Sequence, residues 1–178
     1  MSVTRPPKPA KLVTGVFLKD RGLLKALINE LDERLGPIDI ISQWFPFDYT
    51  SYYETEMGSP LFRRMLAYKN RIEQTDLARI KNITNDIELR YSKNGKRTAN
   101  IDPGYMLCER FVLATGKNYT HRIYIGDGIY ADLTLIYQKS GFKKLPWTYP
   151  DYYNEKMVSY LKAVREKYMV DLKRDTKK

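Results

Sequence analysis

Short apolar runs alternate along the chain with stripes at helical spacing, and that alternation predicts its elements. Lys11–Leu18, reading KLVTGVFL, predicts a short, mostly buried strand. Leu24, Leu27, Ile28, Leu31 and Leu35 then recur at the helical period, with Asp20 placed to cap the helix and Gly36-Pro37 to end it. Ile38–Phe47 is β-branched and aromatic and predicts a second strand. Strand, helix and strand with short joints read as a crossover unit.

Residues 48–60, DYTSYYETEMGSP, read as a tyrosine-rich polar loop, and Leu61–Asn70, ambiguous by period, reads as strand. Thr75 or Asp76 opens a helix that turns Leu77, Ile80, Ile83 and Ile87 inward and stacks Lys81, Thr84 and Glu88 along one flank. Asn94-Gly95 marks a tight turn. Arg122–Ile125 and Ile129–Tyr137 flank Gly126-Asp127-Gly128 as a hairpin. With Ile125 opposite Ile129, Ile123 faces Ala131 and His121 faces Leu133, while the other face pairs Tyr124 with Tyr130 and Arg122 with Asp132. Thr148 and Asp151 match a capping box around Pro150, and Tyr153, Met157, Tyr160, Leu161, Val164, Tyr168 and Leu172 form the inward stripe of a closing helix. The pattern predicts a single α+β domain over residues 11–172, with a mixed or antiparallel sheet and helices packed on it. Residues 1–10 read as a disordered, proline-bearing basic arm and 173–178 as a basic tail.

Length and composition agree with this picture: 178 residues suit one domain, and 43% hydrophobic with 29% charged residues argue against disorder, collagen and coiled coil. No run is long and apolar enough for a membrane span, and the start, MSVTRPPKPAKLV, lacks the apolar core of a signal peptide. Cys108 is the only cysteine, which excludes intrachain disulfides and multi-cysteine metal sites; the expectation is a reduced, cytoplasmic protein with no membrane partner. The net charge of +10 invites a nucleic-acid reading, but its placement weakens it. Arg5, Lys8 and Lys11 supply +3, Lys173, Arg174, Lys177 and Lys178 less Asp175 supply +3, and +4 remains for residues 12–172.

Glu56-Met57-Gly58, Arg97-Thr98-Ala99-Asn100-Ile101-Asp102-Pro103-Gly104-Tyr105, Val112-Leu113-Ala114-Thr115, Arg122-Ile123-Tyr124, Gly128-Ile129-Tyr130-Ala131 and Thr148-Tyr149-Pro150-Asp151-Tyr152 occur in that order. Together they resemble an uncharacterised bacterial family of unknown function marked by a TYPDY motif, over roughly residues 10 to 155. The resemblance implies no activity; some members carry a "GTP-binding" label. The residues do not support a P-loop: before Gly116-Lys117, Phe111 stands where the first glycine belongs, and Asn118 replaces the hydroxyl residue. No Asn-Lys-x-Asp guanine motif is present either.

Candidate chemistry centres on RTANIDPGY. Asp102-Pro103 reads as a helix start, and a helix N-terminus beside Arg97 and Asn100 suits a phosphate or carboxylate. Glu54, Glu56, Asp102, Asp132 and Asp151 are acidic candidates with no spacing specific to a metal or to acid–base work, so no metal site and no cofactor is assigned. His121, the sole histidine, reads as a structural residue, and Cys108 as a small buried one. Tyrosine occurs 15 times; Tyr49, Tyr52, Tyr53, Tyr105, Tyr124, Tyr130, Tyr149 and Tyr152 cluster near charge, where they can stack bases or dock a protein. The leading expectation is binding, with modification open, of a phosphate-bearing ligand such as a nucleotide or RNA. Arg97, Lys117 and Arg122 would supply anion contacts, Asp102, Asp132 and Asp151 polar orientation, Asn100 a further polar contact, and Tyr105, Tyr124, Tyr130, Tyr149 and Tyr152 aromatic surface. An adaptor domain docking another protein through its tyrosines, and a carboxylate-based small-molecule enzyme, stand as alternatives.

Overall fold

The computed structural model describes residues 1–49, 53–139 and 141–175; Tyr52, Lys177 and Lys178 lie outside the described residues. Strand β1 (Ala10–Leu18) is buried at every position, because it runs through the middle of a sheet covered on both faces. A 3-10 turn opens under Asp20, whose carboxylate accepts from Gly22 N–H at 2.8 Å, and leads into α1 (Leu24–Leu35). Gly36 ends the helix at φ 94°, where a side chain would be strained. The following apolar run forms two strands rather than one, β2 (Ile38–Ile41) and β3 (Phe45–Phe47). Between them Ser42 holds Met65 from both sides, its N–H donating to the Met65 carbonyl and its hydroxyl accepting from the Met65 N–H. A side-chain oxygen therefore stands in for a ladder carbonyl and breaks the strand there.

Residues 48–60 include one helical turn, α2 (Glu54–Met57), and then β4 (Leu61–Ile72) pairs with β1, β2 and β3. A capping box of Glu73 and Asp76 starts a 3-10 turn that runs into α3 (Leu77–Arg90). Next come β5 (Ser92–Lys93) and β6 (Lys96–Arg97), joined through Asn94 and Gly95 at φ 52° and 73°, the two positive φ values of a tight hairpin turn. β7 (Ala99–Met106), β8 (Arg110–Thr115), β9 (Arg122–Gly126), β10 (Ile129–Gln138) and β11 (Gly141–Lys144) complete the sheets, and α4 (Glu155–Asp175) closes the chain.

The large sheet runs β11-β10-β8-β7-β1-β4-β2 with every pairing antiparallel; β3 lies further along β4, and β9 pairs with β10. β1 and β2 are both antiparallel to β4, so they run parallel to each other with β4 between them, and the strand–helix–strand unit is a crossover around an inserted strand. On one face α1 and α3 pack Leu27, Leu31, Ile80 and Ile87 against Leu12, Val16, Leu66, Tyr68 and Ile101. On the other, α4 packs Met157, Leu161 and Val164 against Val13, Met65, Met106, Phe111 and Leu135. The result is one α+β domain.

Three further expectations are corrected. Asp102-Pro103 does not start a helix; both residues lie within β7, because β1 pairs with that strand from Ala99 to Met106 and this long-range ladder overrides the local capping preference. Thr148 and Asp151 form no capping box. The Thr148 hydroxyl is held between Leu145 N–H and the Thr134 carbonyl, Asp151 turns to Arg63, and Asn154 caps α4 by accepting from Met157 N–H at 3.0 Å. In the hairpin, Tyr124–Tyr130, Ile123–Ala131 and Arg122–Asp132 pair as expected, but the register shifts at the turn and sets Gly126, not Ile125, opposite Ile129. Positive φ at Gly126, Asp127 and Gly128 makes room for the extra residue.

Candidate functional site

The site begins with a missing donor. β7 and β8 pair only over Gly104–Met106, with Tyr105 opposite Val112. Residues two apart on an antiparallel strand present the same edge, so Pro103 is next in line to exchange bonds with β8, and proline has no N–H. Beyond this point Ala114 and Thr115 stay with Ala131 and Tyr130 of β10 while β7 stays with β1. The two strands part, and a cleft of about 510 Å³ opens between them. Gly104 sets the branch point: a Cβ there would lie 2.4 Å from the Val112 carbonyl oxygen, so only glycine lets the strands meet so closely before they separate.

The open edge of β7 is covered by side chains of α3. Glu88 Oε1 accepts from Ile101 N–H at 2.7 Å, and Lys81 Nζ donates to the Ile101 carbonyl at 2.8 Å. An ion pair across one face of the helix thus replaces the partner residue that β8 would have supplied; Lys81 and Glu88 themselves are 3.6 Å apart. Glu88 Oε2 accepts from Arg97 Nη1 at 2.8 Å, Nη1 also donates to Asn100 Oδ1 at 2.8 Å, and the other edge of the same guanidinium grips Glu56 with two bonds of 2.7 Å. The bonds to Glu56 and Glu88 hold the Arg97 guanidinium more firmly protonated, against the opposing effect of burial, and Arg97 in turn lowers the Glu56 pKa.

Opposite, Arg122 Nε donates to Asp132 at 2.8 Å, Nη1 to the Lys117 carbonyl at 3.0 Å and Nη2 to the Tyr149 hydroxyl at 3.4 Å, with the Tyr119 ring 4.3 Å from its carbon centre. His121 lies 3.2 Å from the same Asp132 oxygen and stacks on Trp147 with ring centres 4.9 Å apart, a structural setting. Arg97 and Arg122 thus spend their donors on the protein itself.

The floor differs. Arg63 is 1% exposed, sandwiched between the rings of Phe17 at 4.7 Å and Tyr152 at 3.9 Å, and Nη1 bonds to Asp151. Among the described residues its Nε and Nη2 have no hydrogen-bond partner, and neither do the Asn100 amide nitrogen and the Tyr152 hydroxyl. Gly15 makes this possible: a Cβ there would lie 3.3 Å from both nitrogens, in the space the guanidinium edge needs. Burial raises the Asp151 pKa despite the opposing charge of Arg63, and burial pushes the Tyr152 hydroxyl well above its ordinary value. Buried donors left unpaired cost about 1–3 kcal/mol each, so several at one place require an account.

Of the residues expected at a site, the fold brings Arg97, Asn100, Asp102, Lys117, Arg122, Asp132, Tyr149, Asp151 and Tyr152 to this cleft. Tyr105, Tyr124 and Tyr130 do not line it. Tyr105 is buried in the core in a cluster with Leu77, Ala78 and Tyr168, and Tyr124 and Tyr130 form an edge-to-face pair on the outer hairpin, with Tyr124 exposed. Sequence reading missed Lys81 and Glu88 as site residues, and Arg63 packed behind the site against Tyr152 and Asp151. Arg63 alternates with Leu61 and Met65 on an inward face, and Lys81, Thr84 and Glu88 form a polar stripe on a helix that faces the sheet. Among the described residues no three His, Cys, Asp or Glu side chains gather to hold a metal ion, and no helix is long and apolar enough to cross a membrane.

A family model described as a domain of unknown function (DUF4416) matches residues 8–168, and the chain belongs to that family. No curated protein and no solved structure matches it.

Proposed function

We propose that the cleft binds a small phosphate-bearing molecule of about mononucleotide size. The observation that carries this reading is the pair of unpartnered donors on the cleft's lining, the Asn100 amide and the Tyr152 hydroxyl, with the unpaired Arg63 Nε and Nη2 buried behind them. An amide and a phenol that can each donate, backed by the positive charge of a buried guanidinium, suit the oxygens of a phosphate. The volume falls within the range of small-molecule sites, about 300–1,000 Å³, and Tyr49, Tyr53, Tyr119 and Tyr149 supply aromatic walls on which a ring can stack. Lysine, arginine, aspartate and glutamate line the walls in equal numbers of each sign, which favours one compact anion over the repeated phosphates of RNA.

Thermal-shift and calorimetric titration with nucleoside monophosphates and inorganic phosphate test the reading, since a ligand of the native state raises the melting temperature by mass action. Tyr152→Phe removes a hydroxyl with no partner in the fold, so the variant should melt within about 1 kcal/mol of the parent while its phosphate affinity falls about tenfold. An unchanged affinity in this variant, or a flat titration of the parent chain, rejects the proposal. The adaptor reading keeps one observation in its favour, the exposed Ile123 and Tyr124 on β9; a flat titration together with a stable complex at that strand would support it.

A further inference from the structure

We infer that Asp102 adds a hydroxyl-binding subsite beside the unpaired Asn100 and Tyr152 donors, so that the molecule taken is a hydroxyl-bearing phosphate ester, a sugar or polyol phosphate. This rests on the phosphate reading above and adds the class of molecule that carries the phosphate.

Every other carboxylate lining the cleft is committed. Glu88 holds Arg97 at 2.8 Å and Ile101 N–H at 2.7 Å, Asp132 holds Arg122 at 2.8 Å and His121 at 3.2 Å, and Asp151 holds Arg63. The Asp102 carboxylate, in contrast, has as its nearest cation Lys81 at 3.9 Å, and Lys81 gives its short bond to the Ile101 carbonyl instead. Its side chain is 27% exposed, within the cleft. A carboxylate offers only acceptors, so what it takes from a ligand is an O–H or N–H donor.

The strand spacing relates that ligand donor to the phosphate. Asn100 and Asp102 lie two apart on β7 and both line the cleft, so the unpaired Asn100 amide and the Asp102 carboxylate share one face of the strand. Residues two apart on a strand stand about 6.5 Å apart, a span comparable to that between a phosphate and a hydroxyl a few bonds along the same small molecule. The charge of Asp102 repels a second anion. The ammonium of Lys81, already 3.9 Å away, disfavours a second cation, and a neutral hydroxyl remains.

Calorimetric titration of the full chain with glycerol 3-phosphate, ethyl phosphate and inorganic phosphate tests this. Ethyl phosphate offers the same anion without hydroxyls, so glycerol 3-phosphate should bind about ten- to a hundredfold more tightly. Asp102→Ala should abolish that preference and leave ethyl phosphate bound equally or more tightly, because a negative charge has gone. Asp102→Asn, which keeps an acceptor oxygen, should retain part of it. Equal affinity of the parent chain for both esters overturns the inference and leaves the phosphate reading standing, whereas failure of all three ligands to bind overturns both. Ethanolamine phosphate binding more tightly than glycerol 3-phosphate would assign the subsite to an ammonium and overturn the hydroxyl assignment. Comparing the esters on the parent chain decides the matter even where a variant fails to fold.

Discussion

The two halves of β7 share one strand and one neighbour yet solve the same problem differently. From Gly104 to Met106 the strand has β1 on one edge and β8 on the other, and its backbone is closed into the sheet. From Ala99 to Asp102 β1 is still present, but the second edge is satisfied at Ile101 by Lys81 and Glu88 reaching over from α3. The first arrangement gives core; the second gives a cleft whose wall is made of charged side chains. The site is therefore no appendage on a loop. It is a stretch of sheet in which side chains have replaced backbone, and its polar groups carry part of the fold's stability.

The largest break in that comparison comes at Glu88. Glu88→Ala leaves the buried Ile101 N–H without an acceptor and takes a carboxylate from both Arg97 and Lys81, and it should cost about 3–5 kcal/mol in urea unfolding, as for other buried pairs that lose one member. A loss under about 1 kcal/mol would mean that the ion pair does not replace the ladder. In the closed half the corresponding test is Gly104→Ala. Its Cβ would meet backbone of Val112 at 2.4 Å, so the strands must shift at a cost of about 2–3 kcal/mol. Gly116→Ala at the cleft, where an added Cβ meets nothing within 4 Å, is the control and should change stability by no more than about 0.5 kcal/mol.

Much of the closed half was legible in the order of residues alone. The stripes of α1, α3 and α4, the buried run of β1, the Asn94-Gly95 turn and the Arg122–Asp132 pairing follow from local period and turn chemistry. The open half was not, because each of its devices depends on a partner far along the chain. Asp102-Pro103 carries a sound local signature for a helix start, and only the eight-residue ladder with β1 makes it a strand. Thr148 and Asp151 have capping-box spacing, yet the carboxylate is taken by an arginine 88 positions earlier. Arg63 was readable only by strand parity, and the ambiguous period of Leu61–Asn70 withheld that parity. Arg97 and Arg122 looked like free anion contacts because the carboxylates that hold them, Glu56 and Glu88 on one side and Asp132 on the other, converge only in three dimensions.

Restoring the donor at position 103 would sharpen the contrast. Pro103→Val gives β7 an N–H on the edge that faces the gap, and the ladder with β8 can extend by one pair. Stability should change by only about 1 kcal/mol, since one hydrogen bond is gained against the packing of the present cleft wall. Phosphate affinity should fall as the strands draw together. Slow hydrogen exchange of the amide introduced by this substitution, with weakened binding, would confirm that the gap makes the site; fast exchange with unchanged binding would show that proline is incidental to it.

The smallest expected effect is one of sign, and it separates the rim of the cleft from its floor. Glu56 at the rim is held below its ordinary value of 4.5 by Arg97, so it favours the folded state above that pH and the benefit is lost as acid protonates it in the folded state. Asp151 at the floor is raised above its ordinary 3.8 by burial, so the fold prefers it protonated, and it removes stability as pH climbs from 3.8 through the raised value. Urea unfolding between about pH 3 and 7, read as slopes rather than absolute values, resolves the two. Glu56→Gln should flatten the acid-side loss by about 0.5 kcal/mol, a solvent-screened amount. Asp151→Asn should steepen it, because the opposing contribution has been removed. Equal slopes in both variants would mean that rim and floor carboxylates sit in equivalent surroundings, and the contrast between a solvent-screened rim and a buried floor would fall with it.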